Sequence, residues 1–97
     1  MQNVIIVDER ILVNLGAKSF ETLEQVIEKM PPSMVEYFID DAINDEQPVY
    51  FNHKQTESAI VVGNYTIIKG YDEHIYVEHS IPESVEEQRL IFYTQGQ

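Results

Sequence analysis

The sequence predicts an α+β fold: an N-terminal β-hairpin, an antiparallel helix pair, then a mostly antiparallel sheet of about four to five strands packed on the helices. Apolar residues recur at helical spacing through Phe20, Leu23, Val26, Ile27 and Met30, and again through Val35, Phe38, Ile39 and Ala42. From Val49 onward the apolar period changes to two, the signature of strands with one covered face. A glycine-led turn, Gly63-Asn64, falls between two such runs.

Residues 4–7 and 10–15 are short, aliphatic and β-branched, and the polar pair Asp8-Glu9 between them suggests a hairpin. Gly16 and Ala17 break that pattern. Ser19 suits the N-cap of a helix whose apolar stripe begins at Phe20, with Glu21, Glu24 and Glu28 turned to water. Pro31-Pro32 ends this helix, because proline lacks an amide donor and disfavours helical backbone in the residue before it. Ser33 and Glu36 have the spacing of a capping box, so a second helix is expected to start at once. Its outer face carries Glu36, Tyr37, Asp40, Asp41, Asn44 and Asp45, and Asp45, Glu46 and Pro48 stop it. Acids at a helix C-terminus oppose the macrodipole, a local cost with no structural return.

Strands are expected at 49–53, 58–62, 65–69, 74–79 and 89–94. Glycine at the first position of the two-residue Gly63-Asn64 turn suits type II′. Residues 80–87 read as a loop or a single helical turn, and 95–97 as a frayed end. Alternation places Val49, Phe51, Ile60, Val62, Tyr65, Ile67, Ile75, Val77, Leu90 and Phe92 toward the helices. The other face collects Tyr50, Val61, Thr66, Ile68, His74, Tyr76, Glu78, Ile91 and Tyr93, so either another element or a partner covers it.

Ninety-seven residues suit one α+β domain spanning 1–97. Cysteine is absent, which removes disulfides, thiolate metal sites and thiol nucleophiles. The first apolar run is too short for a signal peptide, and no segment reaches the roughly 18 apolar residues of a membrane span. A cytoplasmic location is expected, that of the host cell if the chain is phage-encoded.

Met1-Gln2 followed by a hairpin and a helix through Glu28-Lys29, together with Ile81-Pro82 and Gln88-Arg89-Leu90-Ile91-Phe92, resembles segments of ubiquitin. The likeness covers under half of the chain and implies a β-grasp opening. Ubiquitin's terminal di-glycine has no counterpart here, where the sequence closes Gly96-Gln97, so conjugation is not implied and no function is carried across.

His53, His74 and His79 are the only imidazoles, with Asp72 and Glu78 nearby. His74 and His79 are five apart in one expected strand and so point to opposite faces, which argues for three unrelated histidines over a shared metal. Adjacent acids such as Asp40-Asp41 and Asp72-Glu73 lack the ligand spacing and central glycine of a helix-loop-helix calcium site. Ser19 and Ser33 are accounted for as caps, and no phosphate-cradling glycine loop exists. No catalytic, cofactor or metal residue is assigned, and the chain is expected not to be an enzyme.

Charge carries the functional expectation. Seventeen Asp and Glu against six Lys and Arg leave a formal charge of -11. Between positions 19 and 47, eight carboxylates face the single cation Lys29. Such a field repels phosphates, which argues against direct nucleic-acid binding, and attracts proteins that hold phosphates. Glu24-Glu28 and Glu36-Asp40 are like-charge pairs at i,i+4, where an ordinary solvated helix face mixes signs. Carboxylates at that spacing stand roughly 5 to 6 Å apart at Cβ, close to the separation of consecutive phosphates. The expected partner is therefore a basic, nucleic-acid-handling protein, bound through Glu21, Glu24, Glu28, Glu36, Tyr37, Asp40, Asp41, Asp45 and Glu46. One alternative is a self-associating structural or assembly protein, a homodimer through Tyr50, Ile68, Tyr76 and Tyr93. A small metal-dependent enzyme around the histidines is a third.

Overall fold

The computed structural model describes residues 2–44 and 46–79. Strand β1 (Gln2–Ile6) leads into three helices, α1 (Asp8–Leu15), α2 (Phe20–Glu28) and α3 (Pro32–Ala42). Strand β2 (Val49–Phe51) and a 3-10 turn (His53–Gln55) follow, then β3 (Thr56–Val62), β4 (Tyr65–Gly70) and β5 (Ile75–His79). The five strands form one sheet in the order β2-β1-β5-β4-β3. Every pairing is antiparallel. The α+β architecture predicted from the period change is the one observed.

The N-terminal hairpin is not formed, and with it goes the hairpin-helix opening of a β-grasp. Residues 10–15 belong to α1, and β1 pairs with β2 through Gln2, Asn3 and Val4 and with β5 through Ile5 and Ile6. The reason lies in spacing: Val7, Ile11 and Leu15 recur every four residues and are all buried, which a helix satisfies and an alternating strand does not. Asp8 and Glu9, read as a turn, are instead the acidic first turn of α1, where they favour the helix dipole. Gly16 closes α1 in the left-handed conformation at φ 72°, with its N–H on the Val13 carbonyl and the Ala17 N–H on that of Leu12.

Helix α2 follows expectation: Ser19 caps it by accepting from the Thr22 N–H at 3.2 Å, and Phe20, Leu23 and Ile27 are buried. Helix α3 buries Val35, Ile39 and Ala42 but begins differently. Pro31 is its N-cap and Pro32 its first residue, so Ser33 lies inside the first turn and the capping box with Glu36 does not form. Proline at the first helical position carries the right φ and lacks only an amide that would be unpaired there.

Two rows of side chains cross the sheet in register. Ile5, Val77, Ile67 and Ile60 face the helices, where they join Ile11, Leu23, Val35 and Ile39 in the main core. Burying each such aliphatic is worth roughly 1.5–3 kcal/mol relative to leaving it in water. Helix α1 is central to this layer, packing on both α2 and α3. On the other face Ile6, Tyr76, Ile68 and Ala59 form the second row, and Val4 and Phe51 complete a smaller buried cluster. Val49 and Phe51 were expected toward the helices and lie here instead. Val49 is paired with Val4 and Phe51 with Gln2, and that register with β1 decides the face of so short a strand.

The hairpin between β3 and β4 has the two-residue turn expected, with Val62 opposite Tyr65 and Gly63 at φ 57°. The expected loop at 80–87, strand at 89–94 and frayed end at 95–97, with Leu90, Ile91, Phe92 and Tyr93, lie outside the described residues, as does Asp45.

Candidate functional site: the acidic face of α3

Three carboxylates of α3 are held in place by uncharged donors from other elements. Glu36 accepts the Asn64 backbone N–H at the tip of the β3–β4 hairpin, and its carboxylate occupies the space that a Cβ at Gly63 would fill. Asp40 accepts the hydroxyl of Tyr65, the first residue of β4. Asp41 points the other way and accepts the Asn14 side-chain amide of α1 at 3.1 Å; the same amide also donates to the Phe38 carbonyl at 3.2 Å. None of these donors neutralises the acid it orients.

Glu36, Asp40, Asn64, Tyr65 and His79 line an open concavity of about 370 Å³ between α3 and the hairpin. The His79 ring lies on that of Tyr65 with centroids 4.8 Å apart. Burial, then the hydrogen bond to Asp40 and the charges of Asp40 and Glu36, push the Tyr65 phenol up to about 12. Tyr37 projects from the same helix, 69% exposed, with its ring edge-on to that of Phe38 at 5.6 Å.

The remaining residues of the expected anionic surface divide. Glu21 stands 3.6 Å from the Lys69 ammonium, and its carboxyl is held below the usual range by the backbone amide at the start of α2 and then by Lys69. Glu46 forms an ion pair with Arg10, whose guanidinium also donates to the Ile6 carbonyl. Glu24 and Glu28, one turn apart on α2, make no ion pair among the described residues. The acids therefore do not form one uniform strip. Among the described residues two are matched by cations, and the group with defined geometry and no ion pair is Glu36, Asp40 and Asp41.

Asn14, Asn64 and Tyr65 were missed by sequence reasoning, and His79, named there only as a candidate metal or base residue, lies instead beside α3. One signal for Tyr65 was available: a tyrosine assigned to a buried face must place its hydroxyl on a polar partner, and the acids of the overlying helix are the nearest candidates.

The tyrosine-bearing surface is not a single exposed face. Ile68 and Tyr76 are buried, at 0% and 5% exposure, whereas Tyr50 is exposed on the opposite side of the sheet. The Tyr76 hydroxyl donates to Asp72 at 2.5 Å. Burial pushes the Asp72 carboxyl up, but the bonds from Tyr76 and the His74 N–H together with the His74 charge bring it below its ordinary value. Burial, followed by the bond to Asp72, raises the Tyr76 phenol strongly.

The three histidines do not converge. His53 meets Glu78 at 2.8 Å on the second sheet face, where the Glu78 side chain is only 3% exposed. His74 contacts Asp8 at 3.1 Å at the corner between β1 and α1, and His79 belongs to the α3 concavity. Among the described residues no group of three or more His, Asp or Glu is placed to hold a metal ion. None of the described helices is long and apolar enough to cross a membrane. No family model, curated protein or solved structure matches the chain.

Proposed function

We propose that this chain is a non-enzymatic acidic binding protein that occludes the basic nucleic-acid-binding surface of a partner protein. The supporting observation is the arrangement on α3, where Glu36, Asp40 and Asp41 are oriented by the neutral groups of Asn64, Tyr65 and Asn14 and make no ion pair among the described residues. Orientation by neutral donors removes rotamer entropy before binding without cancelling the field that attracts a cationic surface. A carboxylate already matched by lysine or arginine, as Glu21 and Glu46 are, offers a partner far less.

Occlusion by such a face is DNA mimicry. The Glu36-Asp40 pair, one helical turn apart, presents two negative charges at a spacing near that of successive phosphates. Long-range attraction accelerates encounter, and apolar contact slows dissociation. Small size and a formal charge of -11 fit an inhibitor of the phage or mobile-element kind, directed at a restriction or CRISPR nuclease. The partner is a protein with a positively charged nucleic-acid channel, and the compartment is the host cytoplasm.

The test is capture of partners from lysate by the immobilised chain, followed by competition with duplex DNA. The expected result is a basic protein that is released by DNA and by added salt and is lost on combined reversal Glu36→Lys, Asp40→Lys and Asp41→Lys. A partner indifferent to salt, to DNA and to these three reversals would overturn the reading.

A further inference from the structure

Resting on that reading, we infer that Tyr37 is the anchor of the interface, the ring onto which an arginine side chain of the partner stacks while pairing with the carboxylates beside it. At 100° per residue, Glu36 and Asp40 lie on one flank of Tyr37 and Asp41 on the other. Their tethers confirm the division: Glu36 and Asp40 are drawn toward the hairpin, Asp41 toward α1. An aromatic ring exposed to 69% therefore stands between acids fixed on both sides. Its hydroxyl makes no hydrogen bond among the described residues, and its ring touches that of Phe38 edge-on.

The chemistry selects the occupant. A cation over an aromatic face is attracted by the ring quadrupole, and flanking carboxylates add charge-assisted hydrogen bonds. Guanidinium suits both at once, because it is planar, weakly hydrated and carries donors in its own plane, whereas an ammonium is compact and strongly hydrated. Aromatic anchors ringed by polar groups are also where binding energy concentrates in protein interfaces. The docking surface thus belongs to an arginine-bearing segment of a basic protein.

The experiment titrates the whole chain into fluorescently labelled polyarginine and polylysine decapeptides at two salt concentrations. Variants are Tyr37→Phe, Tyr37→Ala and the charge-neutral triple Glu36→Gln, Asp40→Asn, Asp41→Asn. The arginine peptide is expected to bind more tightly than the lysine peptide. Tyr37→Phe should keep that preference, and Tyr37→Ala should weaken arginine-peptide binding by about two- to fivefold without changing the salt slope. The triple variant should flatten the slope. If Tyr37→Ala binds the arginine peptide as the parent does while the triple variant loses it, the anchor is overturned and the acidic reading stands. If the parent binds neither peptide at low salt, or the triple variant binds as the parent does, the acidic reading fails and the anchor with it.

Discussion

The hydroxyl of Tyr65 donates to the carboxylate of Asp40, joining the start of β4 to the outer face of α3. One bond thus satisfies a phenol set into the main core and orients an acid at the surface. Because burial and that bond raise the Tyr65 phenol from 10.0 to about 12, alkaline pH tests the link directly. Between those values the folded chain holds a proton that the unfolded chain has released, so stability is unaffected below about pH 10 and falls as pH rises toward 12. The loss expected is on the order of 2 kcal/mol, read from urea unfolding midpoints. Tyr76 is raised in the same direction and adds to it, so Tyr65→Phe should make the decline shallower without abolishing it.

Glu36 and Gly63 are coupled through space. Gly63 has φ 57°, and a Cβ there would meet the Glu36 carboxylate. Gly63→Ala should therefore destabilise through both left-handed backbone and displacement of Glu36, by about 1–2 kcal/mol in denaturant titration. In a Glu36→Ala background the second part vanishes, so the same substitution should cost measurably less. Equal costs in the two backgrounds would show that the carboxylate is indifferent to the turn.

On the second sheet face, His53 and the buried Glu78 meet at 2.8 Å, and Glu78 Oε2 has no hydrogen-bond partner among the described residues. Truncating His53 strands a buried carboxylate. His53→Ala is expected to lower unfolding free energy by about 3 kcal/mol, more than Glu78→Gln, which removes the charge and keeps the shape. The double variant His53→Ala, Glu78→Gln should lose less than the sum of the two, as a double-mutant cycle by chemical denaturation will show.

Asp8 carries a φ of 34° at the corner between β1 and α1, and its carboxylate accepts the Ile75 N–H at 3.0 Å. Asparagine keeps an acceptor and tolerates positive φ, so Asp8→Asn should be nearly neutral. Alanine does neither and should cost about 1–3 kcal/mol, with faster hydrogen exchange at the Ile75 amide. Should Asp8→Asn prove as costly as Asp8→Ala, the negative charge beside His74, and not the acceptor, holds the corner.

Much of the fold was legible because helices and strands impose fixed periods on local sequence. The stripes at 20–30 and 35–42, the alternation through β3, β4 and β5 and the glycine-led turn each need only neighbours in the chain, and the structure shows them as expected. Residues 10–15 were misread because β-branched aliphatics suggest strand, while the burial of Val7, Ile11 and Leu15 at one helical face is decided by tertiary packing on α2 and α3. The face of β2 was misassigned for a similar reason, since three residues carry too little alternation to resist the register set by β1.

Composition determined that the chain is strongly acidic and cysteine-free, and the order and period of its residues determined that it is α+β with acids along its helices. Only the tertiary structure decided which of those acids meet a cation and which a neutral donor. Lys69 and Arg10 reach Glu21 and Glu46 from elsewhere in the chain, while the donors that orient Glu36 and Asp40 stand 28 and 25 positions away. A count of charges is a property of the chain, but whether a carboxylate meets a cation, a neutral donor or water depends on which distant elements fold against it.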